Sequence, residues 1–96
     1  MAFSYSDENF TVVGNLCFVH IVLDGTKRII DIPSAIVDRI LQSQIIVTYP
    51  YLSRKARNST TLTKNIGYAT IGNGKIFLSD VGVGYLSFFF PIDSNK

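Results

Sequence analysis

Gly67-Tyr68-Ala69-Thr70-Ile71-Gly72-Asn73-Gly74-Lys75-Ile76-Phe77-Leu78-Ser79-Asp80 runs into Val81-Gly82-Val83-Gly84, and then into Tyr85-Leu86-Ser87-Phe88-Phe89-Phe90-Pro91-Ile92-Asp93. Two apolar runs flank a Gly-Asn-Gly break, and an aromatic run follows a second glycine-rich break. Asn and Gly tolerate positive φ, as a tight hairpin requires. Proline has no N–H to give to a sheet, so Pro91 marks a strand end or an edge. The stretch reads as the closing strands of a small β-domain.

The rest of the chain agrees. Phe10–Val13 is a short β-rich piece before the turn signal Gly14-Asn15. Leu16–Leu23 follows as a strand that is apolar on both faces except at His20, and a strand of that kind is covered on both sides. A small antiparallel sandwich covers only one face of each sheet, so something else must cover the other. Asp24-Gly25 turns the chain into a strand over Lys27–Ile32. Pro33–Gln42 is the one helical candidate: proline suits a first helical position, and Ile36, Val37, Ile40 and Leu41 fall on one side. Ile45–Tyr51 returns to β-branched and aromatic residues. The polar stretch Ser53–Lys64 reads as an exposed loop, and Met1–Asn9 as a loose start. Short strands broken at regular intervals by turns predict one all-β domain over residues 1–96. The expected form is a small antiparallel sandwich or barrel with a short helix or helical turn near residues 34–42.

Composition narrows the functional classes. Only 17% of residues are charged, below the usual quarter, which fits a domain that hides apolar surface against a partner. The net charge of +2 is too small to argue for nucleic acid. The single cysteine leaves no internal disulfide and no multi-cysteine zinc site. No apolar run reaches the length of a transmembrane helix, and no signal peptide opens the chain.

The chemistry-bearing residues are few. Cys17 and His20 are three apart on a strand, so they point to opposite faces and form no dyad. The acids sit mostly beside turns and offer neither a rigid carboxylate pair nor metal-ligand spacing. Gly72-Asn73-Gly74-Lys75 lacks the spacing and following helix of a phosphate loop. The basic run Arg54-Lys55-Ala56-Arg57 reads as a solvated loop, and the sequons at Asn9 and Asn58 as chance matches. No catalytic residue, metal or cofactor is expected. Tyr49, Tyr51 and Tyr85 could present flat amphipathic rings on a binding surface.

Gly14-Asn15-Leu16, the run Val19-His20-Ile21-Val22-Leu23, Ile32-Pro33, the Ile71–Ile76 hairpin and the ending Phe90-Pro91-Ile92-Asp93 together resemble a known family. It is the head domain of bacteriophage tail-fibre and baseplate receptor-binding proteins, such as those of phages of lactic-acid bacteria. The resemblance spans about Phe10 to Asp93. It implies a viral protein on the phage tail, exposed to the medium, that assembles as a homotrimer and binds host cell-surface saccharide. Some family heads use a His-x-Asp pair and a tryptophan at the saccharide site. Here Asp80 matches the aspartate, while the histidine and any tryptophan are missing. The candidate saccharide residues are therefore Asp80, Tyr85, Tyr49 and Tyr51. The alternative is a small α+β interaction module for protein or nucleic acid, which would use the helix candidate and the basic run.

Overall fold

The computed structural model describes residues 3–42, 44–54 and 60–95, with the side chain of Arg54 left aside. Seven strands and one helical turn follow in order: β1 (Phe10–Val13), β2 (Leu16–Asp24), β3 (Ile29–Asp31), α1 (Ser34–Val37), β4 (Ile45–Arg54), β5 (Leu62–Gly72), β6 (Lys75–Leu78) and β7 (Val83–Pro91). They form one antiparallel sheet in the order β1-β2-β7-β4-β5-β6-β3, curled into a half-barrel.

The turns are set by the residues named above. Asn73 and Gly74 have φ of 52° and 77°. They join Gly72 to its partner Lys75 as a two-residue loop, the arrangement in which both central residues need positive φ. Gly14 (φ 61°) makes the corresponding two-residue link between Val13 and Leu16. After β2 the Asp24 carboxylate accepts bonds from the Thr26 amide and hydroxyl, and so takes up backbone groups that no strand satisfies.

The sheet is two half-sheets joined at a narrow seam. β2 and β7 pair along their whole length, from Leu16↔Pro91 to Asp24↔Val83, and β4 and β5 pair from Ile45↔Ile71 to Arg54↔Leu62. Between the halves, β4 and β7 share one paired position, Leu52↔Val83. With so little to hold them in plane, the halves fold their inner faces into one core. Cys17, Val19, Ile21, Leu23, Leu86 and Phe90 come from one half, and Tyr49, Ala69, Ile71, Ile76 and Leu78 from the other. Strand alternation decides these memberships: Leu86, Phe88 and Phe90 point inward, and Tyr85, Ser87 and Phe89 outward.

Three boundaries differ from the sequence reading. The helix is a single turn, Ser34–Val37, that starts after Pro33 rather than on it. Ile36 is buried, but Ile40 leaves the helical path to bridge Ile92, and Leu41 is exposed. A tertiary strand contact thus cuts the apolar stripe short. The Ser53–Lys64 stretch is not all loop, because β4 extends to Arg54 and β5 begins at Leu62. Cross-strand pairing continues past the core, where polar residues are compatible with strand. β3 is shorter than Lys27–Ile32. Lys55, Ala56 and Arg57 of the basic run, and the sequon asparagine Asn58, lie outside the described residues.

Of the segment read as a loose start, residues 3–9 are held against the domain, and residues 93–94 are held with them. The Phe3 amide donates to the Ser94 carbonyl (2.9 Å). Arg39 stacks its guanidinium 3.9 Å from the Phe3 ring centre and donates to the Asp93 and Ser94 carbonyls. Asp7 accepts from the amides of Asn9 and Phe10 at the start of β1. No helix among the described residues is long and apolar enough to cross a membrane.

Candidate functional site

Beyond Leu52↔Val83 the ladder between β4 and β7 lapses while the strands stay close, a Cβ on Gly84 coming 3.1 Å from the Pro50 carbonyl oxygen; the groove at this seam is the fork. Pro50, Tyr51 and Leu52 line one side and Val83, Gly84 and Tyr85 the other, with Lys64 reaching in from β5, around a groove of about 430 Å³. That volume lies within the range of small-ligand sites.

Two tyrosines give the groove its character, and they reach it from opposite sheet faces. Tyr51 is inward-facing and half-buried. Its ring lies over Gly82, where an added Cβ would come 2.2 Å from Cδ2, so no larger residue fits beneath it. Burial raises the Tyr51 pKa, and the neighbouring Asp80 charge and a hydrogen bond to Asp80 raise it further. Tyr85 is outward-facing, 62% exposed, and stacks on His20 with ring centres 5.7 Å apart.

Asp80 stands on the β6–β7 connection beside Tyr51. The Tyr49 hydroxyl donates to the Asp80 carbonyl (2.7 Å), and the Asp80 amide points back at the same hydroxyl (3.3 Å). The Ser79 hydroxyl donates to the exposed Asp80 carboxylate (3.1 Å). Three side chains therefore fix this aspartate, while its carboxylate remains open to solvent.

Of the four residues singled out from the sequence, the structure gathers Asp80 and Tyr51 by direct contact and Tyr51 and Tyr85 across the fork. Tyr49 is different. It is 2% exposed and pairs with Gly67, whose missing side chain leaves room for the ring. No face of Tyr49 is open to a ligand, so its part is to position Asp80. Lys64, Pro50 and Val83 were not singled out, and only the seam geometry reveals them.

Cys17 and His20 do occupy opposite faces. Cys17 is fully buried, and burial pushes its thiol pKa up to about 11, with the Asp7 charge adding to the rise. That is the reverse of what an activated nucleophile needs. His20 instead bonds Ser87 on β7, Nδ1 to Oγ, at 2.8 Å. Among the described hydrogen bonds no carboxylate backs this pair, so the third group that orients a triad is missing. No cluster of three or more His, Cys, Asp or Glu side chains occurs among the described residues.

No protein-family model, curated protein or solved structure matches this chain.

Proposed function

We propose that the chain is a recognition head of the phage receptor-binding kind, which holds a saccharide of the host surface in the β4–β7 fork. The observation that carries the reading is the fork itself. It puts two tyrosines and a lysine around one groove, with the solvent-open Asp80 carboxylate next to one of those tyrosines, Tyr51, outside the groove's own lining. Saccharides present apolar C–H faces and hydroxyl rims, so a site for them needs flat rings and a few fixed polar groups. Tyr51 and Tyr85 supply the rings, Lys64 donates, and Asp80 accepts. In this role the chain acts by binding rather than by catalysis, on the exterior of a virion.

A glycan array probed with the intact chain tests the proposal, followed by titration of the best-binding glycan against Tyr85→Ala and Asp80→Ala. Each truncation is expected to weaken binding by about tenfold or more, the equivalent of roughly 1.4 kcal/mol. Unchanged binding in both variants would remove the fork from the account.

A further inference from the structure

His20 is the one polar side chain between Cys17 and Leu23, yet it does not line the groove. Its place in the sheet gives it a part there. The strand order β2-β7-β4 sets β7 between His20 and the fork. His20 stands opposite Ser87, and Val22 stands opposite Tyr85, one outward position nearer the seam. Nδ1 of His20 and Oγ of Ser87 share a hydrogen bond of 2.8 Å. From there the His20 ring reaches diagonally to Tyr85, and the two planes lie within 16° of parallel with centres 5.7 Å apart. Diagonal neighbours on a sheet face are within reach of aromatic side chains, and an offset parallel arrangement is a favoured one for flat rings.

Three side chains thus run in a line toward the fork. Ser87 holds His20, and His20 lies against Tyr85. Tyr85 is 62% exposed, and among the described residues His20 is the one ring stacked on it. On a strand, χ1 values near 180° and −60° are both common, so an exposed tyrosine with nothing beside it divides its time between two directions. We propose that His20 is a positioning residue for the saccharide. Anchored by Ser87, it holds the Tyr85 ring in one rotamer, with one face against the imidazole and the other turned to the fork. The inference rests on the fork being the saccharide site. It adds that the ring is oriented before the ligand arrives, so binding does not have to immobilise it. It also accounts for the two polar residues that break this outer row, between Phe18 and Val22 on β2 and between Tyr85 and Phe89 on β7.

Two measurements on the intact chain test it. The first uses no saccharide and reads the three-bond couplings across χ1 of Tyr85 after isotope labelling. One rotamer is expected in the wild type and an average over rotamers in His20→Ala, with an unchanged far-ultraviolet spectrum. His20→Gln, which keeps a polar side chain but no ring, is expected to behave alike and guards against a variant that fails to fold. The second titrates the best-binding glycan from the array against His20→Ala and Ser87→Ala, each also in a Tyr85→Ala background. His20→Ala is expected to weaken binding by about three- to tenfold, within the cost of immobilising one side chain at an interface, and Ser87→Ala by less. Once Tyr85 is alanine, neither should change the affinity by more than about twofold, whereas a merely structural role would weaken both backgrounds alike. A His20→Ala protein that keeps Tyr85 in a single rotamer, or that loses as much affinity without the Tyr85 ring as with it, would overturn the inference. An array that yields no ligand would remove the saccharide reading, while the coupling measurement decides by itself whether His20 holds Tyr85.

Discussion

Gly67→Ala is the substitution for which the structure and simple strand propensity give opposite signs. Alanine in place of glycine within a strand normally stabilises by about 0.5–1 kcal/mol through backbone entropy. At Gly67 the added Cβ would lie 2.7 Å from Cζ, 2.8 Å from Oη and 2.9 Å from Cε1 of Tyr49. A free tyrosine would swing aside, but this ring is 2% exposed and its hydroxyl is bonded to Asp80. Displacing it forces overpacking worth about 1–3 kcal/mol and loses a hydrogen bond worth about 0.5–1.5 kcal/mol. After the backbone gain is subtracted, the expected net destabilisation is roughly 0.5–4 kcal/mol, a fall in Tm of about 2–30 °C for a domain of this size. Urea and thermal unfolding measure it. In a Tyr49→Leu background, where no ring stands over position 67, the alanine should cost at least about 1 kcal/mol less, a coupling typical of residues in contact. A Gly67→Ala protein within about 0.5 kcal/mol of wild type, or more stable than it, would refute the reasoning.

Leu86 is fully buried on β7 opposite Ile21, and Leu86→Ala is expected to cost about 2–5 kcal/mol, read as a lowered urea midpoint at unchanged slope. The folded Cys17 thiol has its pKa raised from 9.0 to about 11. The unfolded chain therefore gives up this proton first, and stability should fall as pH rises from 9 toward 11; Cys17→Ser should flatten that part of the profile, and a profile identical to wild type would count against the assignment. A thiol reagent should likewise react with Cys17 only at the rate at which the protein opens. Asp7 is held below the usual aspartate range by the amides of Asn9 and Phe10 and by the Tyr5 hydroxyl, against a smaller opposing effect of burial. Its contribution is complete above that range and is lost as pH falls through the lowered value, so Asp7→Asn should lessen the acid sensitivity of unfolding.

Much of the fold was legible where a backbone demand has few residue solutions. Gly72-Asn73-Gly74-Lys75 could be read as a hairpin because only Gly and Asn accept two successive positive φ angles cheaply. The two-sided apolarity of Leu16–Leu23 showed that both faces want cover, but alternation could not say which face the rest of the chain would supply. The polar Ser53–Lys64 stretch read as loop because strands are recognised by what they bury, and the ends of β4 and β5 project beyond the core. The helix was over-extended because the bridge from Ile40 to Ile92 is a tertiary contact with no local signature. At the site, Tyr51 and Asp80 were legible as residue types, whereas Tyr49 looked equivalent to Tyr51. Their shared parity on β4 puts both on the inner face, and Gly67 opposite Tyr49 is what commits that ring to the core. The fork, with Lys64 and Val83, arises from strands far apart in sequence that pair at one position, and no window of the sequence contains that fact.

The central claim is that the fork holds a saccharide, and amide chemical-shift mapping of the isotope-labelled chain with the strongest array ligand tests it most directly. The account predicts shifts gathered at residues 51, 52, 64, 80 and 83–85, saturating with the glycan and lost in Tyr85→Ala. A chain that binds no glycan on the array, or one whose shifts gather elsewhere and persist in Tyr85→Ala, would contradict it.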